Sequence, residues 1–140
     1  MASAGPYTQR AVTAVTAHAA ALGRALARYD HLTGIGLAGR DRFVLTHGEP
    51  HPANTMRVDG RFVLIDWESA LIAPPERDLW NFAGGDPEMC ELYSLRWALV
   101  EAAGYLSLFR RDHRDGPNEG ASWRYLTDTL AKLETTTARI

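Results

Sequence analysis

Two side chains that most proteins use freely are nearly missing. The 140 residues hold one cysteine, Cys90, and one lysine, Lys132. A lone thiol closes no intramolecular disulfide, and without a C-x-x-C pair there is no thiolate zinc or redox motif, so the expectation is a reducing compartment with Cys90 as a buried structural thiol. A basic excess is also lacking: 15 Lys and Arg stand against 17 Asp and Glu, a net charge of −2, which excludes the polycationic face of a nucleic-acid binder. No apolar run reaches the length of a membrane span, and no repeat or low-complexity tract is present. What remains is the balance of one ordinary globular domain over residues 1–140, with 46% hydrophobic and 23% charged residues.

The N-terminal third reads as helix. Arg10 before AVTAVTAHAAALG and the small run ALA have the outline of a secretory signal, but Thr13, Thr16 and His18 make the segment too polar. Val12, Val15, Ala19, Leu22, Leu26 and Tyr29 recur at alternating three and four, predicting one amphipathic helix from about Pro6 to before Thr33. The following TGIGLAGRDR, with three glycines, is expected to be a loop. Its G-x-G-x-x-G lettering lacks the strand before and helix after that a dinucleotide site requires.

The middle of the chain is β-prone. Asp59-Gly60 is a two-residue type I′ turn signal between TMRV and RFVLI, predicting an antiparallel hairpin with strands at about 55–58 and 61–65. Both faces of the second strand are apolar, so helices are expected to cover both. Further on, PERDLWNFA is a predicted helix ended by Gly84-Gly85. Asp86 is a predicted N-cap for a helix burying Leu92, Leu95, Leu99, Ala102, Ala103 and Leu106, and a last helix runs from about Glu119 to Thr135.

Between strand and hairpin lies the segment richest in chemistry, THGEPHPANTM, residues 46–56. His47-Gly48-Glu49-Pro50-His51 has the letters of a zinc hydrolase in the wrong order, and Pro50 and Pro52 forbid the helix that would put both imidazoles on one face. The segment therefore reads as a rigid irregular loop, about 47–54. Counting back from the turn at 59–60 pairs Asn54 with Ile65 and brings Asp66 alongside, though strict alternation puts the two side chains on opposite faces unless the backbone departs from regular pairing. A carboxylate and an amide oxygen beside the Glu49 carboxylate form a hard-oxygen set suited to Mg²⁺ and phosphate.

The run His47-Gly48-Glu49-Pro50-His51-Pro52-Ala53-Asn54, followed by Ile65-Asp66-Trp67, resembles the catalytic loop and metal motif of the aminoglycoside phosphotransferase family, written H-G-D-x-x-x-x-N and I-D-[FW]. APPERDLWNF resembles the segment that follows in the family. The resemblance implies a kinase-like α+β fold, of which this chain is the mainly helical C-terminal lobe. It also implies transfer of the γ-phosphoryl group of ATP to a small-molecule hydroxyl with Mg²⁺, antibiotic resistance as a context, and a cytoplasmic setting without nucleic-acid or membrane partners. By position Glu49 is implied as the catalytic base, Asn54 and Asp66 as the metal and nucleotide residues, and Asp78, within APPERDLWNF, as a brace of the loop. His47 is a catalytic candidate beside a reading in which it hydrogen-bonds the loop backbone, and His51 is read as a support of the loop.

Two departures stand out: Glu49 occupies an Asp position, and Ala53 a Gly position. Nothing before Phe43 reads as a nucleotide lobe, and no lysine there would grip phosphates, which implies a partner in a missing N-terminal lobe or in another copy. The rival reading is a non-catalytic pseudo-kinase lobe or fragment acting as a binding module. Bland readings stand beside the functional ones: Arg77 and Asp78 as an exposed helix pair apart from the bracing role implied for Asp78, and His18, His31 and His113 as surface or interface residues.

Overall fold

The structure, a computed structural model, describes residues 5–138. In chain order it comprises α1 (Thr8–Ala17), α2 (Ala19–Ala38), β1 (Val44–Thr46), β2 (Thr55–Val58), β3 (Arg61–Leu64), β4 (Leu71–Ala73), α3 (Glu76–Leu79), α4 (Pro87–Phe109) and α5 (Pro117–Thr137). Single 3-10 turns fall at Arg40–Arg42, Pro52–Asn54 and Trp67–Ser69. This is the expected mainly helical α+β class, with two small antiparallel sheets, β1–β4 and β2–β3. No described helix is long and apolar enough to cross a membrane. The chain forms two compact units, Met1–Asp30 with Leu95–Ile140, and His31–Ser94.

The first unit is helical and packs around Tyr7, Ala11, Ala102, Phe109, Leu126 and Leu130. The Tyr7 ring lies 5.3 Å from that of Phe109, and its hydroxyl donates to Asp115 at 2.9 Å, so the polar tip is satisfied while the ring body is buried. The predicted apolar stripe is off by one residue, about 100° around the helix: Val12 and Leu26 are 55% and 52% exposed, whereas Ala11, Ala21 and Ala25 are buried. The shift is the same on both sides of His18, where the backbone (φ −102°, ψ 12°) ends α1, so the small alanines rather than the larger apolar side chains form the close-packed face. In α4, Leu95 and Ala102 are buried as expected, but Ala103 is exposed.

The second unit corrects three further expectations. Residues 33–38 are helical, so the loop begins only at Gly39. Gly36 is buried, and a Cβ there would sit 3.1 Å from Met89 Sδ; the missing side chain admits Met89, and packing outweighs the helix-breaking tendency. The hairpin turn forms as read, with Asp59 (φ 47°) and Gly60 (φ 77°) both left-handed and Val58 paired with Arg61. Its faces are not covered, however: Phe62 is 79% exposed and Met56 50%. Finally, α3 spans one turn rather than continuing to Ala83, and β4, unforeseen, pairs with β1 so that Thr46 faces Leu71. The Asp86 cap is as read, Oδ1 accepting from the N–H groups of Glu88 and Met89 at 3.0 and 3.1 Å.

Candidate active site

Everything singled out in the sequence between Thr46 and Asp78 lies in the second unit. β1 delivers His47 at its end, and His47 is buried, 1% exposed. Its Nε2–H donates to the Ile65 carbonyl at 2.8 Å and its Nδ1 accepts the Glu49 N–H at 3.2 Å, which fixes a neutral tautomer with both nitrogens engaged by backbone. The ring therefore ties the start of the loop to the end of β3. The Trp67 indole packs on it with centroids 4.7 Å apart.

Past His47 the chain turns at Gly48, φ 99°. The two prolines then shape the loop. His51, between them, is extended (φ −105°, ψ 168°), as the residue before a proline prefers, and Pro52 opens the 3-10 turn that carries Asn54. The Glu49 carbonyl accepts twice, from the His51 N–H at 2.9 Å and from Asn54 Nδ2 at 3.0 Å. With Nδ2 so engaged, the Oδ1 of Asn54 is the group left for an outside ligand. The Glu49 carboxylate is exposed and lies 4.0 Å from His51 Nε2, beyond hydrogen-bond distance.

The sequence-counted pairing is present: the Ile65 N–H donates to the Asn54 carbonyl at 2.9 Å. Immediately after, the backbone leaves the strand. Asp66 adopts a left-handed conformation (φ 64°, ψ 61°), and its carboxylate makes no capping bond to the Trp67–Ser69 turn that follows. This is a departure from strict strand alternation. For a non-glycine residue it costs about 1–2 kcal/mol, so the surroundings impose it.

Those surroundings are α3. Asp78 accepts the N–H groups of His47 and Gly48 at 2.7 and 2.6 Å, a carboxylate across two successive peptides. Arg77, expected to be an exposed partner of Asp78, is instead 6% exposed. Its guanidinium donates to Thr46 Oγ1 at 2.8 Å and to the Ser69 carbonyl at 2.7 Å. Ser69 Oγ donates to the His47 carbonyl at 2.7 Å, and Thr46 Oγ1 donates to the Leu71 carbonyl at 2.8 Å. A Cβ at Gly48 would run into the Arg77 guanidinium, so the glycine supplies space as well as its turn. Glu76, also buried, accepts from Arg42 Nη2 at 2.7 Å and the Asp86 N–H at 3.0 Å, while its Oε2 is unpartnered. Burial opposes its charge, but the hydrogen bonds from the Asp86 backbone, its own backbone and Arg42, with the Arg42 charge, outweigh that and hold its pKa below the ordinary carboxylate value.

Sequence reasoning missed Thr46, Arg77 and Glu76 as buried polar residues, and the half-buried Ser69 bonded to Arg77. Only the neighbouring Asp78 carried a signal, through APPERDLWNF. Among the described residues no group of three or more His, Cys, Asp and Glu is placed to hold a metal ion. Asn54 and Asp66 offer one amide oxygen and one carboxylate, hard donors of the kind Mg²⁺ takes when it keeps several waters.

A buried histidine anchoring an Asx-bearing loop to a hairpin, braced from below by a carboxylate on the next helix, within a mainly helical α+β chain, defines part of a kinase-like fold. The chain belongs to the phosphotransferase enzyme family (APH), whose sequence model matches residues 2–123. It is 39% identical over 97 residues to Protein StrN of Streptomyces griseus, an alignment covering 64% of this chain and 30% of that protein. It also superposes on the crystal structure of spectinomycin phosphotransferase, APH(9)-Ia, in complex with ADP and spectinomycin, with a TM-score of 0.67 at 17% identity, over 95% of this chain and 49% of the other. The chain thus spans less than half the length of either relative.

Proposed function

We propose that this chain carries the catalytic and metal-binding loops of an ATP- and Mg²⁺-dependent phosphotransferase whose acceptor is a hydroxyl of a small molecule of the aminoglycoside class. The reading is supported above all by the backbone hydrogen bond from the Ile65 N–H to the Asn54 carbonyl, which brings residue 54 beside the residue preceding the left-handed Asp66. The ADP and spectinomycin in the solved relative support the choice of nucleotide and acceptor class. In this reading Asn54 Oδ1 and the Asp66 carboxylate hold Mg²⁺, which supplies charge neutralisation at the nucleotide phosphates.

Glu49 is the group that orients the acceptor hydroxyl and takes its proton as that oxygen bonds to the γ-phosphorus and the bond to the bridging oxygen of ADP breaks. His51, 4.0 Å from its carboxylate, is a support of the loop. His47 positions the loop rather than moving a proton, because both nitrogens are spoken for by backbone. Asp78 braces the loop from α3. The single Cys90 agrees with a reducing, cytoplasmic setting.

The uncovered hairpin points to the partner. A two-stranded ribbon is marginal in water on its own, and Met56, Val58, Phe62 and Val63 are all exposed. We assign this surface to a complementary lobe that grips the nucleotide phosphates, supplied by another polypeptide segment. Calorimetric titration of Mg·ADP tests the reading: binding by the wild-type chain that is lost in both Asp66→Ala and Asn54→Ala supports it, and binding undiminished in both variants overturns it. The same exposed ribbon favours a second reading, a non-catalytic lobe that serves as a binding module, as does Glu at position 49. Complete absence of Mg·ADP binding, alone and with a complementary lobe added, selects it.

A further inference from the structure

Resting on that functional reading, we infer that Ser69 and Arg77 are positioning residues that set the distance between the Asp66 carboxylate and the Asn54 amide. Asp66 is left-handed and uncapped; the turn after it is closed by the Ala70 N–H on the Trp67 carbonyl at 3.0 Å, and the Trp67 indole N–H reaches back to the Leu64 carbonyl at 2.9 Å. Two anchors tie this turn to the catalytic loop. Upstream, Ile65 is fixed through its N–H to the Asn54 carbonyl at 2.9 Å and through its carbonyl to His47 Nε2 at 2.8 Å. Downstream, Ser69 is fixed through its hydroxyl to the His47 carbonyl at 2.7 Å and through its own carbonyl to Arg77 Nη2 at 2.7 Å. Both anchors end on His47, one on its ring and one on its carbonyl. The span of the turn is therefore measured off against a single residue, itself held through its N–H by Asp78 at 2.7 Å.

Arg77 makes the downstream anchor rigid. Its planar fork takes Ser69 O with one nitrogen and Thr46 Oγ1 with the other, at 2.7 and 2.8 Å, joining the residue after the Asp66 turn to the residue before His47. The guanidinium occupies the space that a side chain at Gly48 would claim, so it lies directly under the loop. Release of the Ser69 hydroxyl leaves Asp66 held at Ile65 and through Trp67, whose indole N–H donates to the Leu64 carbonyl at 2.9 Å and whose ring packs on His47, but takes away the downstream tie to the His47 carbonyl that opposes relaxation of a costly conformation. The metal pair then loses its spacing while the fold persists. Supporting groups of this kind, one step removed from the ligands, govern metal affinity strongly.

The test uses the full 140-residue chain, isotope-labelled, with Mn²⁺ as the probe and Ser69→Ala, Ser69→Thr and Arg77→Lys as variants. Ser69→Ala should keep its far-ultraviolet circular dichroism, bind Mn²⁺ about tenfold more weakly, and recover in Ser69→Thr, which restores the hydroxyl. Amide exchange at Ile65 should quicken roughly five- to tenfold in Ser69→Ala and return in Ser69→Thr, as loss of about one net hydrogen bond predicts. Unchanged Mn²⁺ affinity in Ser69→Ala, or a loss that Ser69→Thr fails to reverse, overturns the inference. A wild-type chain that takes no Mn²⁺ defeats the metal reading instead, and the exchange comparison then decides the positioning claim by itself. Should Ser69→Ala not fold, Arg77→Lys, which keeps the charge but not the fork, makes the same comparison.

Discussion

One oxygen of the Asp78 carboxylate accepts the peptide N–H of Gly48 at 2.6 Å, while the other takes the N–H of His47 at 2.7 Å. Those peptides lie where the chain leaves β1 and cannot find a strand partner, so a side chain thirty residues on stands in for the missing ladder.

Replacing that carboxylate leaves two partly buried donors without an acceptor. Asp78→Ala should cost about 3 kcal/mol, taking 1.5 kcal/mol for each hydrogen bond to a charged group, and Asp78→Asn a smaller amount. Urea denaturation of the two variants against wild type measures it, and a change below about 0.5 kcal/mol would remove Asp78 as a brace.

Gly48 answers to two demands at once. Its φ of 99° is unfavourable for any side chain, and a Cβ would meet the Arg77 guanidinium. Gly48→Ala should destabilise by about 2–4 kcal/mol, combining the backbone cost with overpacking, whereas Gly60→Ala, with open space around it, should lose only the backbone part of about 1–2 kcal/mol. Equal losses at the two sites would deny the steric component.

At Asp66 stability and proposed function should part company. Asp66→Gly relieves the left-handed strain and adds chain entropy in the unfolded state, so its stability should stay within about 1 kcal/mol of wild type. Its metal affinity should nevertheless vanish. Thermal melting paired with Mn²⁺ titration checks both halves, and retained affinity would take Asp66 out of the metal set.

The pH dependence follows from Glu76. Its folded-state pKa is lowered, so its contribution is fully present above the ordinary carboxylate pKa and drains away as pH falls through the folded value. Melting temperature should therefore fall on acidification below that range, and Glu76→Gln should flatten that acid limb while lowering stability at neutral pH. An acid limb of unchanged steepness in the variant would place the effect on other carboxylates.

The hairpin makes the opposite prediction to the buried polar residues. Phe62 is 79% exposed, so Phe62→Ser should shift stability by no more than about 0.5 kcal/mol while weakening association with a complementary lobe. Gel filtration and denaturation of the same variant separate the two effects.

Local signals with a local cause were legible. Asp59-Gly60 set the turn and thereby the register that joins Asn54 to Ile65, and Asp86 set the start of α4, because turn and cap chemistry act over a few residues. The lettering of the 47–54 loop, with Ile65-Asp66-Trp67, named the family that the sequence model then matched over residues 2–123. Helix phase was less legible: the stripe of larger apolar residues lay one position away from the face of alanines that packs closest, and Gly36 kept its helix because Met89 packs on it.

The sequence by itself determined which residues sit in the loop and how the hairpin aligns them, since backbone pairing propagates by counting. Only the tertiary structure decided that Thr46, Ser69 and Arg77 form the polar network beneath that loop, that Glu76 is buried against Arg42, and that β4 folds back on β1. Burial of a charged group depends on partners distant in the chain, and a guanidinium surrounded by carbonyl and hydroxyl oxygens has the same letter as one in water.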